Sequence, residues 1–162
     1  MTNGGATTMI DLSGRVALVT GASRGIGAAI ARRLAARGAR VVAAARAENA
    51  RPVAEEIGRS GGEAEAITLD VTDGSGTEAA VTGILERHGR IDILVNNAGI
   101  ARDQLLLRLK REDWDAVLTT NLTAAFALTQ LALKGMIRQR QGRIISISSV
   151  VGQSGNAGQT NY

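Results

Sequence analysis

The sequence predicts an α/β fold: one doubly wound parallel sheet with helices on both faces. Three observations lead there. Short apolar runs alternate with helical stretches from residue 15 to residue 148, with no long polar linker between them. The first run stops at a glycine-rich turn, and a helical pattern starts inside that turn. The chain holds one Trp, one Phe and one Tyr, so its core must be built from Ala, Val, Ile and Leu. Small aliphatic side chains suit helices laid closely on a buried parallel sheet.

The elements follow in order. Residues 15–20 (RVALVT) read as a buried strand. Residues 25–37 place Ile26, Ile30 and Leu34 at helical spacing, and Gly38 closes that helix. Residues 39–45 form a second strand, and 48–59 a polar helix that tolerates Pro52 only in its first turn. Gly61 and Gly62 break it before a third strand at 64–69, which ends at Asp70. A helix is expected at about 76–88 and a fourth strand at 91–95 (IDILV). Residues 100–110 connect to a long helix over 111–138, with a break expected near Lys134 and Gly135. The fifth strand is 143–148 (RIISIS), and 151–162 reads as loop. Residues 1–9 read as a flexible lead-in, and 10–162 as one domain.

Composition narrows the function. With no cysteine, disulfides and thiolate metal sites are excluded, and no metal is expected. The single histidine, His88, reads as a solvated residue at a helix end. No apolar run reaches the roughly 18 residues a membrane span needs, and residues 1–8 lack the pattern of a signal peptide. A cytoplasmic enzyme is expected, with no membrane association. The net charge is +4, carried almost wholly by arginine. These arginines are scattered rather than gathered into a stripe, and stacking aromatics are scarce, so nucleic acid is not expected as a partner.

The segment Thr20-Gly21-Ala22-Ser23-Arg24-Gly25-Ile26-Gly27 carries the first functional signal. Gly21 permits a tight turn, Gly25 lets backbone approach a pyrophosphate, and Gly27 lets the helix pack close. The helix start then offers free N–H groups to phosphate. On a strand–turn–helix this spacing predicts a Rossmann-type NAD(P) site, with Ala22, Ser23, Arg24 and Ile26 completing the loop. In such sites an acid at the end of the second strand grips the ribose hydroxyls. Here that strand ends Ala45-Arg46, so Arg46 and Arg24 are placed to meet a 2′-phosphate instead. NADP(H) is favoured over NAD(H), although Glu48 lies near enough to serve a ribose.

The loop has the form TGxxxGxG and resembles that of the short-chain dehydrogenase/reductase family. Asn96-Asn97-Ala98-Gly99 after the fourth strand resembles the family's NNAG motif. Asn121 sits in the long helix where the family places an asparagine, and Ser149 precedes Tyr162 by the family's thirteen residues. Singly, Ser149 is an ordinary serine after a strand, Asp70 a helix cap, Asn121 a polar helix residue and Tyr162 a chain-end residue; their joint spacing reverses those odds. The stretches ASRGIG, LVNNAGIARDQLLLRL and GRIISISSVVGQSGNAGQTNY are most similar to the bacterial 3-oxoacyl-[acyl-carrier-protein] reductases.

The resemblance implies roles. Tyr162 would be the general acid, Ser149 would orient the substrate carbonyl, and Asn121 would help hold a water in a proton relay. Asp70 and Val71 would contact adenine, and Asn97, Ala98 and Gly99 would line the cofactor site. Gln159 would lie near cofactor or substrate, and Arg140 would dock an acidic acyl carrier protein. The resemblance also implies NADP(H), a homotetramer, a lysine four residues after Tyr162, and further C-terminal strands and helices that are absent from this sequence. The fold class is therefore a Rossmann-type sheet with five strands present. Either the sequence is a piece of a longer protein, or the product is truly shortened and nearly inactive for want of that lysine. The alternatives are another short-chain dehydrogenase acting on a small alcohol or ketone, and an inactive nucleotide-binding fragment.

Overall fold

The computed structural model describes residues 10–162; the expected lead-in, residues 1–9, lies outside the described residues. Five parallel strands form one sheet: β1 (Val16–Thr20), β2 (Arg40–Ala45), β3 (Glu63–Thr68), β4 (Ile93–Asn96) and β5 (Arg143–Ser146). Their order is β3-β2-β1-β4-β5. The chain winds outward from β1 in one direction, then restarts at β4 on its other side. The crevice beyond the carboxyl ends of β1 and β4 is thus a topological switch point, where such sheets bind ligands.

Alternation along the strands divides the core in two. Ala17, Val19, Val41, Ala43, Ile93 and Val95 face α1 (Gly25–Ala35) and α2 (Arg51–Arg59). The buried residues of α1 are all small (Gly27, Ala28, Ala31 and Ala35), so its backbone lies close to the sheet. Val16, Leu18, Val42, Ala44 and Leu94 face the other way, toward α3 (Gly74–His88) and α5 (Ala124–Arg138). Leu18 stands in register between Val42 and Leu94 and is fully buried.

Several expectations need correction. The long helix does not break at Lys134–Gly135; α5 runs through both. One glycine costs a helix about 1 kcal/mol, which packing of Leu128, Ala132 and Met136 outweighs. The irregularity lies earlier, where a π-helical turn at Thr119–Thr123 joins α4 (Arg111–Leu118) to α5. The stretch 151–162 is not all loop, because Val151–Ser154 forms a one-turn helix, α6. His88 is not solvated: its side chain is 10% exposed and its Nε2 lies 3.1 Å from Glu65. The continuous helical run Arg111–Arg138 is long enough to cross a membrane and contains an 18-residue window with a span-like mean hydropathy of 1.4. Sequence inspection missed it because Thr119, Thr120, Asn121, Thr129 and Gln130 interrupt its apolar residues. In this fold the run lays Val117, Ala124, Leu128, Ala132 and Met136 into the core and leaves Leu122, Phe126, Leu133 and Ile137 exposed.

Candidate active site

A cleft of about 850 Å³ opens at the switch point. Four loops make its walls: Gly21 to Gly27 after β1, Ala45 to Asn49 after β2, Leu69 to Thr72 after β3, and Asn97 to Arg102 after β4. Of the residues singled out from the sequence, it gathers Gly21, Ser23, Arg24, Gly25, Ile26, Gly27, Arg46, Asp70, Val71, Asn97, Ala98 and Gly99. Ala22 does not line it. Its side chain is buried and its N–H donates to the Ala44 carbonyl at 3.0 Å, so that amide belongs to the sheet.

Local chemistry makes the loop a cradle for an anion. Arg24 caps α1 without a side-chain hydrogen bond, and the first turn holds no acid. The first N–H groups of α1 are therefore left for a ligand. The start of α3 contrasts with it, because Asp73 accepts from the Gly76 N–H and closes that helix. Gly25 has φ +55 and would have nothing within 4 Å of an added Cβ, so backbone faces open cleft there. Gly27 is needed for another reason: a Cβ would stand 2.4 Å from the Gly21 carbonyl oxygen. These features fit a dinucleotide pyrophosphate.

The loop is held by two residues at strand ends. Thr20, at 1% exposure, donates its hydroxyl to the Val95 carbonyl and accepts from the Asn97 and Ala98 N–H groups. The Asn97 amide donates to the carbonyls of Thr20 at 2.8 Å and Gly21 at 3.2 Å. Asn97 thus serves the cleft by stapling the glycine loop to β4. Thr20 was overlooked as a site residue, although a lone hydroxyl ending an apolar strand was a readable signal.

The cleft is electropositive. Its lining carries Arg24, Arg46 and Arg102 against one carboxylate, Asp70. Hydrogen bonds from the Thr72 side chain and N–H, with the nearby Arg46 charge, hold the Asp70 carboxyl below its usual range. Glu48 is not part of the lining; it pairs with Arg51 at 3.0 Å. Arg102, Asn49, Thr72, Ile100 and Thr120 also line the cleft.

The remaining sequence candidates lie outside the cleft lining. Asn121, in the π-helical turn, holds the backbone of one residue at both ends: its Oδ1 accepts from the Ile100 N–H at 2.8 Å, and its Nδ2 donates to the Ile100 carbonyl at 2.9 Å. It thereby fixes the chain that follows Gly99. Ser149 Oγ accepts from the Val151 N–H at 3.2 Å and starts α6. Tyr162 is 44% exposed. Its segment is tied to the 102–104 connection by three contacts. Gln104 N–H donates to the Gly158 carbonyl at 2.8 Å, Gln159 Nε2 donates to Asp103 at 2.9 Å, and Asn161 Nδ2 donates to the Arg102 carbonyl at 3.0 Å. Gln159 thus makes a loop-to-loop bond here. Asn161, at 4% exposure, was also overlooked, and its neighbour Tyr162 was the only reason to look there. Arg140 is exposed at the end of α5 with φ +51. Among the described residues no group of three His, Asp or Glu side chains could hold a metal ion.

Comparison with known proteins decides the lineage. The family model described as short chain dehydrogenase matches residues 15–162. The chain belongs to this family. It is 51% identical over 154 residues to a 3-oxoacyl-[acyl-carrier-protein] reductase of Vibrio cholerae, covering 94% of this chain and 62% of that protein. A reductase of the same name from Thermotoga maritima is 47% identical over 152 residues, covering 93% and 62%. The chain therefore spans about 62% of the length of these curated relatives. A crystal structure of a metagenomic short-chain oxidoreductase in complex with NADP superposes with a TM-score of 0.90 at 46% identity, covering 93% of this chain and 69% of that one.

Proposed function

We propose that this chain carries the cofactor site and catalytic tyrosine of an NADPH-dependent reductase that converts 3-oxoacyl-[acyl-carrier-protein] to the 3-hydroxyacyl form in fatty-acid synthesis. The observation that carries the reading is the electropositive cleft over a helix start with no side-chain cap bond, into which the loop after β2 sends no carboxylate. The likeness to reductases of that name supports the substrate.

Gly21, Ser23, Arg24, Gly25, Ile26 and Gly27 would hold the pyrophosphate, and Arg24 and Arg46 the 2′-phosphate. Asp70 and Val71 would meet the adenine, and Asn97 to Gly99 the nicotinamide side. When bound, NADPH supplies the hydride. Tyr162 would give its phenolic proton to the carbonyl oxygen. Ser149 would donate its hydroxyl hydrogen to the same oxygen, because its lone pair already takes the Val151 N–H. Asn121 would retain one amide hydrogen for a relay water beyond its two bonds to Ile100. Arg140, exposed and cationic, would meet the acidic carrier protein. The outer face of α5 exposes Phe126, Leu133 and Ile137, consistent with self-association into a tetramer. The setting proposed is cytoplasmic.

The test is NADPH consumption with acetoacetyl-carrier protein, for the wild type and the Tyr162→Phe variant. The variant is expected to lose about 10²–10⁴-fold in kcat, the usual worth of a positioned general acid. Turnover of small ketones but not the thioester would assign the chain to another short-chain dehydrogenase activity. Arg140→Gln is expected to weaken reduction of the carrier-linked substrate alone; equal losses on a small free thioester would remove the docking role.

A further inference from the structure

The direction of Arg46 depends on a turn that the sheet does not itself hold. β2 and β3 pair in register from Arg40 opposite Glu63 to Ala45 opposite Thr68, and Leu69 N–H donates to the Ala45 carbonyl at 2.8 Å. Past that bond the chain leaves the sheet. Ala47, the residue after Arg46, has φ +49. An L-residue with a Cβ is disfavoured in this left-handed region and persists there only when its surroundings hold it. Ala47 and Arg140 are the only non-glycine residues with positive φ among those described. The Asn49 N–H closes the turn weakly on the Arg46 carbonyl, at 3.3 Å. The firmer tie comes from the neighbouring strand: the Thr68 hydroxyl donates to the Ala47 carbonyl at 2.7 Å.

We propose that Thr68 is a positioning residue for recognition of the 2′-phosphate. Its hydroxyl replaces the next rung of the β2–β3 ladder, pins Ala47 in the left-handed region, and so keeps Arg46 on the cleft wall beside Asn49. Without this bond Ala47 relaxes, and Arg46 loses its fixed exit from β2. Thr68 itself is not a lining residue, so its effect reaches the ligand only through Arg46. This predicts a signature that general loosening would not give. The phosphorylated dinucleotide is affected, while NADH, which lacks the group Arg46 would meet, is not. The inference rests on the proposed NADP(H) site.

The test is equilibrium binding of NADPH and of NADH, followed by cofactor fluorescence, with thermal unfolding of each variant as a control for folding. Thr68→Val keeps the branched shape that a strand favours and removes the hydroxyl. It is expected to weaken NADPH binding about 3- to 10-fold, the usual net worth of one hydrogen bond, and to leave NADH binding unchanged. Thr68→Ser, which keeps the donor, is expected to retain the wild-type ratio. An unchanged ratio in Thr68→Val, or equal losses for both cofactors, would overturn the positioning role. A wild type that binds the two cofactors equally would overturn the NADP(H) reading itself.

Discussion

The centre of the sheet and its β5 edge are built differently. At the centre, β1 and β2 bury nearly every side chain between two layers of helices, and the cofactor cleft sits on their ends. At the edge, β5 buries none: Ile144, Ile145 and Ile147 are each 38–43% exposed, and the strand's outer edge has no partner among the described residues. Yet Ser149 and Tyr162 follow that exposed strand. The cleft therefore rests on close packing. The catalytic candidates rest on individual hydrogen bonds to loops, such as Asn161 to the Arg102 carbonyl. The first is cooperative, whereas the second can be loosened one bond at a time.

The largest effect should come from testing the packing itself. Leu18→Ala, at a fully buried site, is expected to cost about 2–5 kcal/mol in urea unfolding, while Ile145→Ala on β5 should cost under about 1 kcal/mol. Equal costs would show that β5 is covered in solution. Next comes acid. Burial pushes the Asp92 carboxyl up, but hydrogen bonds from Arg90, the Val16 N–H and Arg15 outweigh that and hold it low. A carboxylate lowered on folding stabilises above its unfolded value of about 3.9. Stability should therefore fall as pH drops below about 4 and on through the lower folded value. Asp92→Asn should flatten that limb of the stability–pH curve. The smallest effect tests the loosely tied side. Asn121→Ala removes both bonds to the Ile100 backbone and should cost about 1–3 kcal/mol. Hydrogen exchange should rise at residues 100–104 and 156–162 before it rises in β1. Uniform acceleration across the sheet would mean that centre and edge open together.

Much of this was legible in the sequence, and the reason differs by residue. The strands were readable because apolar runs stopped at polar residues; their boundaries shifted by one or two residues, as for β4, expected at 91–95 and found at Ile93–Asn96. The glycine loop was readable because each glycine answers a steric demand, as Gly27 does at the Gly21 carbonyl. Asn161 and Thr68 were not readable as site residues. Each acts through a bond to a residue distant in sequence, and a hydroxyl or amide carries no mark of its partner. The break expected at Gly135 failed because local propensity was weighed without the packing of α5 on α3.

The sequence by itself determined the α/β alternation, the place of the phosphate loop and the residue types along it, since these follow from periodicity and from sterics between near neighbours. Only the tertiary structure decided that Ala22 belongs to the sheet and that Asn97 and Asn121 act on backbone. Those outcomes depend on which hydrogen-bonding groups the strand order brings within about 3 Å of one another, and that order is not written in any single stretch of the chain.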